Sequence, residues 1–436
     1  MLRANGDPPD PAIIQSLDKS VNAAGLTLRL AGSAAASDNM PMETIYLDHN
    51  ATTPIHPEVV QAMNRCYAEG FANPASQHRP GQHARRALED ARERTAEILG
   101  ADLTCLRPDR LVFTSSGTEA NNLAVLGITR AATLKEETKE DAVRHESDQL
   151  VISAIEHHCV IEPAEHLLAG GWRLDTLSVT ADGVVRGEQL PGLLSDRTRL
   201  VSVMLGNHET GVLQPVAELA ASCNDAGVPL HTDAAQVAGK LPVDFRGLGA
   251  AAMTIAAHKF RGPLGIGALI LRNDLPVAPL FFGGHQQNDL RPGTESVALA
   301  VGMMTALEIW RSEQGAHLRH LTVLRDRFEG SLQAGYPELI VHGRGAQRLP
   351  HTSNLAFPGL DGQVLLTALD MMGVACSLGS ACSSGSTELS PTLRAMGLPN
   401  EIVSSSLRFS LGATTTEAEI DEAVQRTLHV CSELRC

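Results

Sequence analysis

The sequence predicts an α/β fold, a mostly parallel sheet covered by helices, and three observations lead there. Short apolar runs of strand length recur through the middle of the chain. Amphipathic stretches of helical period lie between them. At 436 residues and 43% hydrophobic, the chain is long and apolar enough to bury a large core. Taken in order, residues 1–42 carry a Pro/Asp cluster, no sustained period and a closing Ala/Ser run, and read as a disordered N-terminal extension. The apolar runs that follow are RLVFTS (110–115), QLVISAI (149–155), RLVSVML (199–205), VPLHTD (228–233), AAMTIA (251–256) and GALILR (267–272). Between them, HARRALEDARERTAEILG (83–100) and TEANNLAVLGITRAA (118–132) predict helices with glycine at or near a helix end. Beyond about residue 300 the alternation loosens, which predicts a second, smaller α+β domain.

A formal charge of −15 excludes nucleic acid or an anionic membrane as the main partner, because phosphate recognition needs an excess of Lys and Arg. No run of 18 or more apolar residues and no secretory pattern appears, so the chain reads as soluble and cytoplasmic. The eight cysteines (Cys66, Cys105, Cys159, Cys223, Cys376, Cys382, Cys431 and Cys436) are scattered without CxxC pairs, which fits reduced thiols.

Candidate chemistry clusters just after the predicted strands, where open α/β sheets place ligands. In TIAAHKFRGPLGIG (254–267) a strand runs into His258 and Lys259. HTDAAQ (231–236) places Asp233 at the end of the preceding strand, with Gln236 following. A lysine alone at a strand end is ordinarily a solvated charge. A lysine with a carboxylate in one cleft is the pair that pyridoxal 5′-phosphate requires: the amine forms a Schiff base and the carboxylate keeps the pyridine nitrogen protonated. FTSSGTEANN (113–122) offers a strand, Ser-Gly-Thr and a helix start. Gly117 and Thr118 can cradle a phosphate there, although an ordinary N-cap by Ser116 or Thr118 explains the same residues. In SAIEHH (153–158) the adjacent histidines point to opposite sides and no acidic or cysteine set completes a metal shell. No metal site is expected, and the His157 imidazole is expected to stack on the cofactor ring and to move protons near neutral pH. GSACSSGS (379–386) surrounds Cys382 with residues too small to build a core, so this loop thiol is either reactive or incidental.

Together with YLDHNATTP (46–54), RPGTE (291–295) and SLRFSLG (406–412), these motifs resemble, in order from about residue 44 to 425, the cysteine desulfurases of the class V aminotransferase group. The GSACSSGS form is similar to the long-loop desulfurases that serve iron–sulfur cluster assembly and thiolation pathways. The resemblance implies PLP fold type I, with a large domain over 59–303 and a small domain made of 43–58 and 304–436. It implies a homodimer in which Thr294 reaches the neighbouring subunit's phosphate, while Thr118 and His258 bind it at home. Lys259 then carries the cofactor, Asp233 pairs with its ring nitrogen, Gln236 bonds its phenolic oxygen, and Arg408 holds the substrate carboxylate through a two-point fork. The implied reaction converts L-cysteine to L-alanine. Lys259 removes the α-proton and Cys382 takes the sulfur as a persulfide, for delivery to a sulfur acceptor or iron–sulfur scaffold protein where Cys382 can transiently hold a cluster. Fast attack near pH 7 requires the thiol's reference pKa of ~8.5 to be lowered, or its proton passed to a neighbour such as His157.

The chain departs from the family pattern in three places. Ala256 stands where a serine phosphate donor is usual, and FGGHQQNDLRPGT (282–294) lacks the usual ERG. His208 stands where a second asparagine generally lies close to cofactor and substrate, and a ring titrating near its reference pKa of ~6.5 would make cysteine binding pH-dependent. Competing readings are a selenocysteine lyase, a class V aminotransferase acting on another amino acid, and a non-catalytic sulfur-relay scaffold, against which the intact Lys259, Asp233 and Arg408 argue.

Overall fold

The computed structural model describes residues 43–137, 147–379 and 389–435; the expected extension over 1–42 and the loop thiol Cys382 lie outside these described residues. In chain order the strands are β1 (Ile45–Tyr46), β2 (Arg110–Thr114), β3 (Gln149–Ser153), β4 (Arg173–Leu177), β5 (Thr198–Ser202), β6 (Leu230–Asp233), β7 (Ala252–Ala256), β8 (Gly267–Leu271), β9 (Ile340–Val341), β10 (Thr352–Ala356), β11 (Val374–Ala375), β12 (Ser377–Leu378) and β13 (Ser406–Ser410).

The central sheet has seven strands in the order β2-β8-β7-β6-β5-β3-β4. Only β8 runs against its neighbours, β2 and β7; the remaining pairs are parallel. Every residue of β3, β7 and β8 is buried, as the near-continuous apolar runs demand of strands covered on both faces. The sequence reading finds each strand of this sheet except β4. That strand, RLDTL, has only its last residue buried and pairs on one side, so it carries no apolar run to find.

The helix expected over 83–100 spans Arg79–Ile98, because His78 caps it earlier by accepting from the Gly81 amide at 3.2 Å. The helix expected over 118–132 begins at Gly117, passes through a π turn at Leu123–Gly127 and continues to Glu137. A 39-residue helix, Val297–Gly335, was not legible as one element, and packing explains it. Its first half buries Met303, Ala306, Leu307 and Trp310 in the core of the large sheet. Its second half buries Leu321, Leu324, Phe328 and Leu332 in a separate core shared with Ile45, Leu47, Phe357 and Phe409. Each fully buried side chain of this kind contributes ~1.5–3 kcal/mol. The second core backs the antiparallel sheet β12-β13-β10-β9, and β1 pairs in parallel with β11 beside it.

Candidate active site

The parallel strands end at one edge, and their carboxyl ends deliver the candidate residues to it. β7 leads into the turn Ala257–Lys259, β6 ends at Asp233, β5 leads to His208, and β3 leads to His157, the N-cap of the helix His158–Ala169. From the other core, β13 contributes Arg408, 2% exposed.

Hydrogen bonds join these groups. The Lys259 Nζ donates to the carbonyls of Asn50 at 2.6 Å and Ala51 at 2.9 Å. Gln236 donates through Nε2 to the same Asn50 carbonyl at 3.0 Å, while its Oε1 accepts from Lys240 Nζ at 2.7 Å. Asp233, 7% exposed, accepts at Oδ1 from the Ala235 amide (2.8 Å) and at Oδ2 from Asn121 Nδ2 (2.7 Å). Arg408 donates to Asp48 Oδ1 at 2.7 Å and to the His208 carbonyl at 3.1 Å. The His157 and His208 rings meet edge to face with centroids 5.1 Å apart. His258 sits beside Thr52 Oγ1 at 3.2 Å, and its carbonyl accepts from the Thr53 hydroxyl.

The electrostatics keep the imidazoles neutral. Burial, reinforced by Lys259 and Lys240, lowers His258 to about 4. Burial also lowers His157, with Lys259, His158 and Arg408 adding and Asp233 opposing. His208 is held well below the usual range by burial, then by His157, Arg408 and Lys259. Glu156, next to His157, goes the other way: desolvation raises it to about 8 although Ser153 Oγ and the Met204 amide both donate to it.

The profile of the family described as Aminotransferase class-V matches residues 45–423. Among curated proteins, the chain is 37% identical over 391 residues to cysteine desulfurase IscS of Dictyoglomus turgidum, covering 90% of this chain and 95% of that one. It is 41% identical over 384 residues to an IscS-like cysteine desulfurase of Mycobacterium tuberculosis, covering 87% and 94%. The chain belongs to the cysteine desulfurases. Among solved structures, a NifS-like protein superposes with a TM-score of 0.80 at 30% identity, covering 90% of this chain and all (100%) of that one. DndA from Streptomyces lividans gives 0.68 at 36% identity, covering 84% and 99%.

Desulfurases of this family use pyridoxal 5′-phosphate, and the groups at the strand ends fit it. A buried carboxylate, a lysine and an imidazole converge from the ends of β6, β7 and β3 at one edge of the sheet. Asn121 Oδ1, His208 Nδ1 and Arg408 Nε are buried there without a hydrogen-bond partner among the described residues. The Ser116–Gly117 backbone lies so close to the sheet that a Cβ on Gly267 would come within 2.5 Å of the Ser116 carbonyl carbon, and one on Gly117 within 3.2 Å of Ala256 Cβ. Ala256 thus packs against the start of the Gly117 helix. Thr118 is exposed at that helix start, where Ser116 accepts from the Glu119 amide as N-cap. Thr294 is exposed on the loop preceding the long helix. Arg291 ties that loop to Glu119 at 2.9 Å, but neither threonine joins the network among the described residues.

The sequence reading missed Asp48, Asn50, Asn121, Cys159 and Lys240. Lys240 had a local signal, since it follows Gln236 by four residues. Asp48 and Arg408 meet from 360 residues apart, with no sequence signal at all.

Proposed function

We propose that the chain converts L-cysteine to L-alanine and passes the sulfur, as a persulfide on Cys382, to iron–sulfur cluster assembly or thiolation. The observation that carries this reading is the convergence of Lys259, Asp233 and His157 at strand ends on one edge of the sheet, with Arg408 entering from the second core. Bound pyridoxal phosphate supplies an electron sink for the carbon–sulfur cleavage. Lys259 Nζ anchors that group and takes up the substrate α-proton. Asp233, aligned by Asn121, would pair with the ring nitrogen, and Gln236, with its oxygen committed to Lys240 and one Nε2 hydrogen to the Asn50 carbonyl, would have its other Nε2 hydrogen for the phenolic oxygen. His157 would cover the ring face. The Gly117 amide, Thr118 and the neutral His258 would serve the phosphate, and Thr294 would serve that of the neighbouring subunit in a homodimer. Arg408, held between Asp48 and the His208 carbonyl, supplies the positive charge for the substrate carboxylate, with His208 beside it. The Cys382 thiolate takes the substrate sulfur: one sulfur–sulfur bond forms, one carbon–sulfur bond breaks, and alanine leaves.

Residues 59–303 form the large domain in this reading, and 43–58 with 304–436 form the small one. The pair of cores that share the helix Val297–Gly335 supports two domains in outline, although Ala306, Leu307, Trp310, Leu393 and Met396, beyond residue 303, pack in the core of the large sheet. Among the described residues no helix is long and apolar enough to cross a membrane, in keeping with a cytoplasmic enzyme. The test measures alanine, sulfide, selenide and keto acid from candidate amino acids. Wild type should release alanine and sulfide from cysteine. Lys259→Ala should lose the borohydride-trapped cofactor, and Cys382→Ala should keep the cofactor but release no sulfide. Trapping on another lysine, or undiminished sulfide from Cys382→Ala, would overturn the assignment.

A further inference from the structure

Cys159 sits in the first turn of the helix His158–Ala169, 9% exposed, and belongs to the site without a part in the chemistry above. Its Sγ lies 2.9 Å from His157 Nδ1 and 2.9 Å from Asn121 Nδ2. The direction of each bond follows from its neighbours. Asn121 Nδ2 also reaches Asp233 Oδ2 at 2.7 Å, so its NH₂ end, not its oxygen, faces both the carboxylate and the sulfur. The sulfur therefore accepts from Asn121. On the other side, the Cys159 backbone amide, which can only donate, points at His157 Nδ1 at 3.2 Å. Nδ1 therefore carries a lone pair, and the contact with Sγ is a thiol donating to it.

We propose that Cys159 is a positioning residue for His157, its S–H being a second donor to Nδ1 that keeps the ring neutral with its proton on Nε2. Protonating Nδ1 would require displacing both donors, whereas a proton on Nε2 leaves both in place. Among the described residues, the charged and titratable groups facing this ring include His158 on its own helix, Asp233 from β6, His208 from the loop after β5, Lys259 after β7 and Arg408 from β13. Of these only Asp233 favours the cation; its Oδ2 lies 4.0 Å from Sγ, a much longer reach for the one thiol proton than Nδ1 at 2.9 Å, and Asn121 donates to both that carboxylate and the sulfur. His157 thus acts as a donor, not as the acceptor of the Cys382 proton that the sequence suggests.

That the ring faces the cofactor rests on the proposed function; the thiol-to-imidazole bond does not. The test follows the ring ¹⁵N resonances of His157, assigned with His157→Gln, as a function of pH in full-length protein with and without cofactor. Cys159→Ala should raise the proton affinity of His157 at least about threefold, the scale of one lost hydrogen bond. Cys159→Ser, which keeps a donor, should stay close to wild type. If Cys159→Ala does not fold, Cys159→Val, similar in bulk and unable to donate, replaces it. Identical titrations in wild type and the non-donating variant would reduce Cys159 to a space filler. A shift in both forms alongside absent desulfuration would leave the bond standing and overturn the functional reading alone.

Discussion

At the scale of single residues, the structure reverses one expectation. If its ring faced the cofactor and substrate anions, His208 was expected to titrate near neutrality and carry charge there; turned away, it would only fill space. Its ring is packed against His157, and its Nε2 is 3.7 Å from Glu209 Oε1. Burial and the neighbouring cations keep it neutral well below the usual imidazole range. Cysteine binding in a Cys382→Ala background should therefore show parallel pH profiles with and without His208→Asn across about pH 6 to 8. A step that vanishes on substitution would show a charge role. Glu156 gives a second prediction. Its folded pKa of about 8 lies above the unfolded value, so the stability it contributes is complete below the unfolded pKa and declines as pH rises toward 8. Glu156→Gln does not titrate. The urea midpoint of this variant relative to wild type should rise from pH 5 to pH 8, and a flat difference would refute the raised pKa.

At the scale of elements, the helix Val297–Gly335 is the piece on which both cores depend. Phe328 is fully buried and meets Phe409 with ring centroids 5.1 Å apart, so Phe328→Ala removes a ring from packing that cannot readily collapse. The expected cost is ~3–5 kcal/mol by denaturant unfolding; a loss under about 1 kcal/mol would mean that this core repacks freely. Two residues on, Gly330 faces solvent in the same helix, with nothing within 4 Å of where a Cβ would lie. Gly330→Ala should stabilise by ~0.5–1 kcal/mol, because alanine loses less conformational freedom in a helix. Destabilisation would mean that the helix needs the glycine to bend there.

For the whole molecule, buried neutral imidazoles set the acid limit. His231 is fully buried between Ser202 Oγ (2.9 Å) and Thr254 Oγ1 (3.1 Å), bridging neighbouring strands of the large sheet. His342 meets Ser406 Oγ at 3.0 Å behind the smaller one. Burial lowers His231, His342 and His49 each to about 4. Their folded pKa values lie below the unfolded ~6.5, so the unfolded chain binds more protons between the two values. Stability should be intact above ~6.5 and fall as pH drops toward 4, opposite in sign to the Glu156 contribution. The urea midpoint should be lower at pH 5 than at pH 7.5, and His342→Gln should reduce the difference. An unchanged midpoint would mean that these rings protonate without opening the fold.

Strand identity was legible wherever a run is buried on both faces, because such a run must be apolar throughout; β3, β7 and β8 are the cases in point. β4 escaped because an edge strand has one partner and little to bury. Lys259, Asp233 and His157 could be picked out as chemistry because each lies at or just after a strand end, and the order of strands in an α/β sheet brings such ends to one edge. Helix length past residue 300 could not be read, since a helix serving two cores shows its apolar face first to one and then to the other. The contacts that orient the candidate site groups were equally hidden. Asp48 on Arg408, Lys240 on Gln236, and Asn121 with Cys159 on Asp233 and His157 are short-range bonds between residues that, Lys240 and Cys159 apart, lie far from their partners in the chain. Hydrogen bonding depends on distance and angle in three dimensions, and a linear sequence carries neither until the sheet has closed.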